Sequence, residues 1–113
     1  MNILVVGAGG VGASMASIAE TRGFFDSFVL ADISRERAEQ AVAELDDPGK
    51  FSAETVDAGD VKALIALITR TKADIVINAC DPRFNEPIFD ACFTAKCNYL
   101  DMAMNLSVPH PTN

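Results

Sequence analysis

The chain has 113 residues, of which 50% are hydrophobic, and its 16 acidic side chains outnumber the 9 basic ones for a formal net charge of −7. This length and composition are those of a single globular domain, and we expect residues 1–113 to form one unit at the start of a longer chain. The acidic balance argues against partners such as nucleic acid or an anionic membrane surface, so any bound phosphate has to be held by local contacts.

Residues 3–19 carry no charge, but neither a signal peptide nor a membrane span fits them. No basic stretch precedes them, glycines interrupt them, and the apolar run is short for a bilayer. The three cysteines, Cys80, Cys92 and Cys97, have no metal-like spacing. We therefore expect reduced thiols, no metal site and a cytoplasmic location.

The first predicted strand, Asn2 to Val6, runs directly into a turn with the pattern GxGxxG. Gly7 permits a tight turn, Gly9 lets the backbone approach a pyrophosphate, and Gly12 lets a helix pack against the strand. The helix, from about Gly10 to Arg22, points its free amides and positive dipole end at the phosphates. The residues expected on its inner face, followed by its terminator, are Val11, Met15, Ile18, Ala19 and Gly23. The pattern predicts a dinucleotide site at the turn.

The second predicted strand, about Ser27 to Ala31, ends at Asp32, about twenty residues beyond the turn. An acid in this position accepts hydrogen bonds from the adenosine ribose diol and repels a 2′-phosphate, which favours NAD over NADP. Ser34 and Arg35 could instead bind that phosphate if Asp32 turned aside. Asp32 could also merely cap the next helix, although Ser34 is our expected cap.

The rest of the chain continues to alternate short apolar runs with helical stripes. A third strand spans about Phe51 to Val56, Ile75 to Ile77 mark a central fourth strand that ends at Asn78, and a fifth runs from Asn98 to Met102. Asp60 and Asn85 are the expected caps of the intervening helices. Right-handed crossovers then predict an α/β, doubly wound parallel sheet with about five strands in the order 3-2-1-4-5 and helices on both faces.

The carboxyl ends of these strands define the candidate site. Asp57 and Ala58 leave the third strand where this fold usually places adenine, although Asp57 is almost as well suited to capping a turn. The loop from Asn78 to Asp81 leaves the fourth strand beside the expected nicotinamide position. Tyr99 and Asp101 share one face of the fifth strand and could border a substrate cleft. No acid–base pair can be recognised, so the catalytic residues stay unassigned.

Five pieces of the sequence together resemble one known family. They are ILVVGAGGVG, LADIS, VDAGD, ADIVINACDP and FNEPIFDACFTAKCNYLDMA. The resemblance is to the amino-terminal NAD(P)-binding domain of the saccharopine dehydrogenase family, including its carboxynorspermidine dehydrogenase-like members. It implies cofactor contacts from the glycine turn, the second-strand end, the third-strand exit and the fourth-strand loop. These residues are Gly7, Ala8, Gly9, Gly10, Val11 and Gly12, then Asp32, Ile33, Ser34 and Arg35, then Asp57 and Ala58, and finally Asn78, Ala79 and Cys80.

The resemblance also implies an activity. Such enzymes pass hydride between the nicotinamide and the α-carbon of a secondary amine, formed from an amino acid or diamine and a semialdehyde. Members of the family continue through a substrate-binding and dimerising domain. The resemblance therefore implies a small amino-acid or polyamine substrate and a possible homodimer. It also implies negligible turnover by these 113 residues alone. The alternative is a non-catalytic NAD-sensing domain of the potassium-uptake type, which also begins with such a turn and is about this long.

Overall fold

A computed structural model of the chain describes residues 1–23, 25–45, 48–80 and 82–101, and these form a five-stranded parallel sheet. The strands are β1 (Asn2–Val6), β2 (Ser27–Asp32), β3 (Phe51–Thr55), β4 (Ile75–Asn78) and β5 (Asn98–Asp101). Their order is β3-β2-β1-β4-β5, which confirms the predicted topology. Val6 pairs with Ala31 on one side and with Asn78 on the other, so the three central strands end level with one another. Met102, predicted as the last residue of β5, lies outside the described residues.

Helices cover both faces of this sheet. They are α1 (Gly10–Ala19), α2 (Arg35–Ala43), α3 (Val61–Thr71) and α4 (Asn85–Ala95), with short 3-10 helices at Pro48–Lys50 and Pro82–Phe84. Ala16 and Ala38 bring α1 and α2 against one face, where Val5 and Leu30 are fully buried. On the opposite face, Leu64 of α3 packs together with apolar residues of α4. The central strands β1, β2 and β4 are largely apolar on both faces because both faces are covered there.

Helix α1 is shorter than predicted and packs through smaller residues. It ends at Ala19 rather than near Arg22, and Gly23 follows with a positive φ of 70°. The prediction that Ile18 faces inward is wrong, because its side chain is 58% exposed while Ala16 and Ala19 are buried. The small residues Ala16 and Ala19 let α1 lie close to the sheet, and the helical repeat places Ile18 on the opposite side of the helix from Ala16. The Val11 side chain lies outside the described part of the chain.

Two of the three predicted helix caps are confirmed. The Ser34 hydroxyl accepts from the Arg37 amide at 3.2 Å, and the Asp60 carboxylate accepts from the Ala63 amide at 3.1 Å. The prediction that Asn85 caps α4 is wrong. Phe84 occupies the cap position without a side-chain hydrogen bond, and the Asn85 side-chain oxygen instead accepts from Asn78 Nδ2 at 2.8 Å.

Candidate functional site

The glycine turn after β1 is clamped by both neighbouring strands. Gly7 has a φ of 109°, and its amide donates to the Ala31 carbonyl at 2.7 Å. The Ala79 amide donates to the Val6 carbonyl at 2.9 Å from the other side. A Cβ on Gly7 would lie 3.0 Å from the carbonyl carbon and oxygen of Ala79. The conformation and the close approach both require glycine at this position.

The remaining glycines of the turn have different surroundings. A Cβ on Gly12 would lie 1.8 Å from the Gly7 carbonyl oxygen, so Gly12 allows α1 to start directly against the turn. Gly9 and Gly10 face open space, since a Cβ added to either would have nothing within 4 Å. The amides of a helix's first turn have no intrahelical partner, and here they border that open space. The arrangement suits an anion such as a pyrophosphate at the start of α1.

Asp32 is a buried acid at the end of β2. It is 8% exposed, and its Oδ1 accepts from the Ile33 amide at 2.7 Å. Its Oδ2 is buried and accepts no hydrogen bond from the described residues, although the Arg37 guanidinium lies 3.2 Å away in a charge contact. The helix cap is Ser34, so capping does not explain the acid. A buried carboxylate oxygen without a hydrogen bond is costly, and a hydroxyl donor from a ligand would satisfy it.

A cavity at the carboxyl edge of the sheet brings several predicted residues together. The predicted residues that line it are Gly7, Asp32, Ile33, Asp57, Ala58 and Cys80. Val6, Val56 and Phe84 complete the lining. Sequence reasoning missed Phe84, and it also missed Arg37, which forms the charge contact with Asp32. The only sequence signal for Phe84 is its place just after the fourth-strand loop. Asp81 lies outside the described residues.

Other predicted residues are engaged elsewhere. The Arg35 guanidinium lies 3.6 Å from the Glu39 carboxylate one helical turn along α2, and Ser34 caps the same helix. Asp57 accepts from the Gly59 amide at 2.9 Å while remaining exposed, so it serves the turn and is also accessible to a ligand. Neither Ser34 nor Arg35 lines the cavity.

Asn78 organises the loop after β4. It is fully buried, and its Nδ2 donates to the Asn85 side chain at 2.8 Å and to the Tyr99 hydroxyl at 3.1 Å. Its Oδ1 accepts from the Cys80 amide at 2.8 Å. The Cys80 thiol donates to the Val6 carbonyl at 3.3 Å, which ties the loop to the end of β1. The Tyr99 hydroxyl therefore faces this network, and the Asp101 side chain is not among those described.

The three cysteines form no disulfide with one another, and Cys80 is half-buried at the cavity. Burial raises the pKa of Cys92 to about 12. Burial, followed by the charge of Asp74, also raises the pKa of Cys97. Within the described ranges, no cluster of histidine, cysteine or acidic side chains could hold a metal ion, and no helix is long and apolar enough to cross a membrane.

A parallel sheet in this order, a glycine turn at its switch point and a buried acid after β2 define a dinucleotide-binding α/β domain. The saccharopine dehydrogenase NADP-binding domain matches residues 3–112, and the chain belongs to that family. A nicotinamide dinucleotide is accordingly its class of cofactor.

Two relatives carry polyamine-related names. Carboxynorspermidine synthase of Vibrio cholerae is 34% identical over 116 residues, covering 96% of this chain and 28% of its own length. Carboxyaminopropylagmatine dehydrogenase of Synechocystis is 32% identical over 101 residues, covering 89% of this chain and 25% of its own. The chain thus spans about a quarter of the length of these relatives. They give the family an oxidoreductase character, and they do not support the potassium-uptake sensor alternative.

Solved structures share the fold. Apo saccharopine dehydrogenase from Saccharomyces cerevisiae aligns with a TM-score of 0.73 at 18% identity, covering 88% of this chain and 21% of that one. UDP-glucose 4-epimerase from Stenotrophomonas maltophila with bound NAD aligns with a TM-score of 0.73 at 16% identity, covering 89% and 36%. At these identities the likeness shows the fold alone.

Proposed function

We propose that this chain holds the dinucleotide in a saccharopine dehydrogenase-like oxidoreductase that acts on the CH–NH bond of an amino-acid or diamine adduct with a semialdehyde. The family supports the reaction class, and the names of the Vibrio and Synechocystis relatives support a polyamine precursor as substrate. The bound cofactor supplies or accepts the hydride. This chain spans only about a quarter of the relatives' length. We infer that the groups that bind the substrate and move its proton belong to a further domain, so these 113 residues alone should turn over negligible substrate.

The observation that carries the proposal is the buried Oδ2 of Asp32, which accepts no hydrogen bond from the described residues. In the proposed complex it accepts from the adenosine ribose. The pyrophosphate lies over Gly9 and Gly10 at the start of α1, the adenine lies near Asp57 and Ala58, and the nicotinamide lies beside the loop that Asn78 holds. The open space at the two glycines and the shared cavity support this arrangement.

We further propose that the cofactor is NAD rather than NADP. A 2′-phosphate would meet the Asp32 carboxylate, and that acid is held in place by the Ile33 amide. The Arg37 guanidinium offsets part of the Asp32 charge, whereas Arg35, the other nearby cation, forms an ion pair with Glu39.

Reduced thiols fit a cytoplasmic enzyme. The homodimer expected from the resemblance would form through the further domain.

Calorimetric titration of the chain with NADH and NADPH tests the proposal, with Asp32→Ala and Glu36→Ala compared. We expect NADH to bind the wild type at least about tenfold more tightly than NADPH. Asp32→Ala should weaken NADH binding by about 10- to 100-fold, because it removes charge-assisted hydrogen bonds. Glu36 is an exposed acid in the first turn of α2 and outside the cavity, so Glu36→Ala should bind like the wild type. Tighter binding of NADPH would overturn the NAD preference, and the absence of binding of either dinucleotide would overturn the whole proposal.

A further inference from the structure

The cavity contains an aromatic ring that no sequence motif assigns. Phe84 ends the 3-10 helix Pro82–Phe84, and its ring lines the same cavity as Asp32 and Ala58. The ring is half-buried and reaches the exit of β3, where its Cε1 would lie 3.8 Å from a Cβ on Gly59. A residue from the fourth-strand side of the sheet thus lies beside the residues that follow β3.

The ring is held in place. Phe84 packs against the buried cluster beneath α3 and α4, and the Arg83 guanidinium lies 5.1 Å from the centre of the ring. This is a cation–π distance. Phe84 lies at the junction of this 3-10 turn and α4, and these contacts place its ring at the wall of the cavity.

The surroundings of the ring suit a purine better than a phosphate. Asp32 and Asp57 place two carboxylates at the cavity, which disfavours an anion there. Ile33, which is 66% exposed, and Ala58 add apolar surface. An aromatic base can contact such a wall, and the exposed carboxylate of Asp57 can accept from an exocyclic amine. The pyrophosphate site lies instead at the open space by Gly9 and Gly10.

We propose that Phe84 is the aromatic wall of the adenine subsite, where its ring contacts the base of the bound dinucleotide. This assignment rests on the proposed function, since it requires that a dinucleotide binds. Two segments of the chain, the β3 exit and the segment after the fourth-strand loop, would then form the adenine subsite together.

The absence of tryptophan from the chain allows a direct test. Phe84→Trp introduces a sole tryptophan at the cavity, and ADP-ribose should quench its emission because stacked adenine contacts the indole. Nicotinamide mononucleotide, which lacks adenine, should leave the emission unchanged. The matched control is Phe93→Trp on α4, which is 77% exposed and outside the cavity lining, and neither probe should alter its emission.

Binding affinities provide the second measurement. Phe84→Ala should weaken NADH binding by about 5- to 150-fold, the range seen when a base loses an aromatic stacking partner. Phe84→Leu keeps the apolar packing and should weaken NADH binding while unfolding at the wild-type temperature. Two outcomes would overturn the adenine assignment while the dinucleotide proposal stands. One is that Phe84→Leu and Phe84→Ala bind NADH as tightly as the wild type does. The other is that ADP-ribose fails to quench the emission of Phe84→Trp in a protein whose wild type binds NADH. If the wild type binds no dinucleotide, both proposals are overturned.

Discussion

Single residues in the glycine turn have separable tasks. Gly7 adopts a positive φ against Ala79, and Gly12 brings the helix against the Gly7 carbonyl. Gly9 and Gly10 have open space beside them. Gly7 and Gly12 are therefore required by the fold. We propose that Gly9 instead serves the ligand, because a glycine lets a phosphate approach its backbone closely.

We expect three alanine substitutions to separate these tasks. Gly12→Ala should lower the free energy of unfolding by about 3 kcal/mol or more, because the new Cβ overlaps backbone. Gly9→Ala should cost about 1 kcal/mol or less, as at other helix caps, yet weaken NADH binding strongly. Ser17→Ala, at an exposed position later in α1 and outside the cavity, is the control that should weaken neither the fold nor NADH binding. Urea denaturation and calorimetry measure the two effects, and equal destabilisation by Gly9→Ala and Gly12→Ala would contradict this division.

Asn78 shows why a buried polar residue has consequences beyond its own position. A fully buried amide would be costly if its groups were unpaired, but it has partners on the Cys80 backbone, Asn85 and Tyr99. These partners come from the loop, α4 and β5. The amide therefore fixes the loop that packs on Gly7 by joining three elements at one point.

At the scale of elements, helices α3 and α4 end in the same strained way. Their C-terminal caps are Lys72 and Lys96, with φ values of 54° and 58° in the left-handed region. Residues with a Cβ pay about 1–2 kcal/mol in this conformation, which glycine avoids. Both helices thus carry a local cost that packing against the sheet has to offset.

Replacing either cap with glycine should stabilise the protein. We expect Lys72→Gly and Lys96→Gly each to raise the free energy of unfolding by about 0.5–1 kcal/mol, since relief of strain exceeds the added freedom of the unfolded chain. The control is Ala66→Gly at an exposed position inside α3, which should lower it by about 1 kcal/mol. Chemical denaturation of the three variants measures this, and destabilisation by both cap substitutions would show that the lysine side chains matter more than the backbone strain.

At the scale of the whole molecule, the sheet was predictable and the site was predictable only in part. The runs Ile3 to Val6 and Ile75 to Ile77 are apolar on both faces, and crossover handedness then determines the strand order. The side-chain direction of Ile18 depended on how closely α1 approaches the sheet, which periodicity does not encode. Phe84 reaches the β3 exit, and Asn85 reaches Asn78, only through tertiary packing. Local sequence therefore located the strand ends but not the side chains that meet across them.

Two thiols can report on dinucleotide binding, one in the cavity and one on a buried face of the sheet. Cys80 lines the cavity and is partly exposed, whereas Cys92 lies on the buried face of α4 and is 1% exposed. Burial raises the pKa of Cys92 to about 12, so very little of it is thiolate at pH 8. Alkylation of Cys92 in the native protein therefore requires opening of the fold, whereas alkylation of Cys80 requires only access to the cleft.

Alkylation by iodoacetamide at pH 8, followed by mass spectrometry, should therefore report both how NADH covers the cavity and how it stabilises the fold. We expect Cys80 to react well before Cys92, and NADH to protect Cys80 because the cofactor covers the cavity. NADH at a hundred times its dissociation constant should stabilise the fold by about 2.7 kcal/mol, which slows the reaction of Cys92 by about a hundredfold although Cys92 touches no cofactor. At the same NADH concentration, Asp32→Ala should reduce the slowing at Cys92 from about a hundredfold to about 2- to 11-fold and should weaken the protection of Cys80. Protection of Cys80 without any slowing at Cys92 would show that α4 opens independently of the cofactor cleft, and the sheet would then not unfold as one cooperative unit.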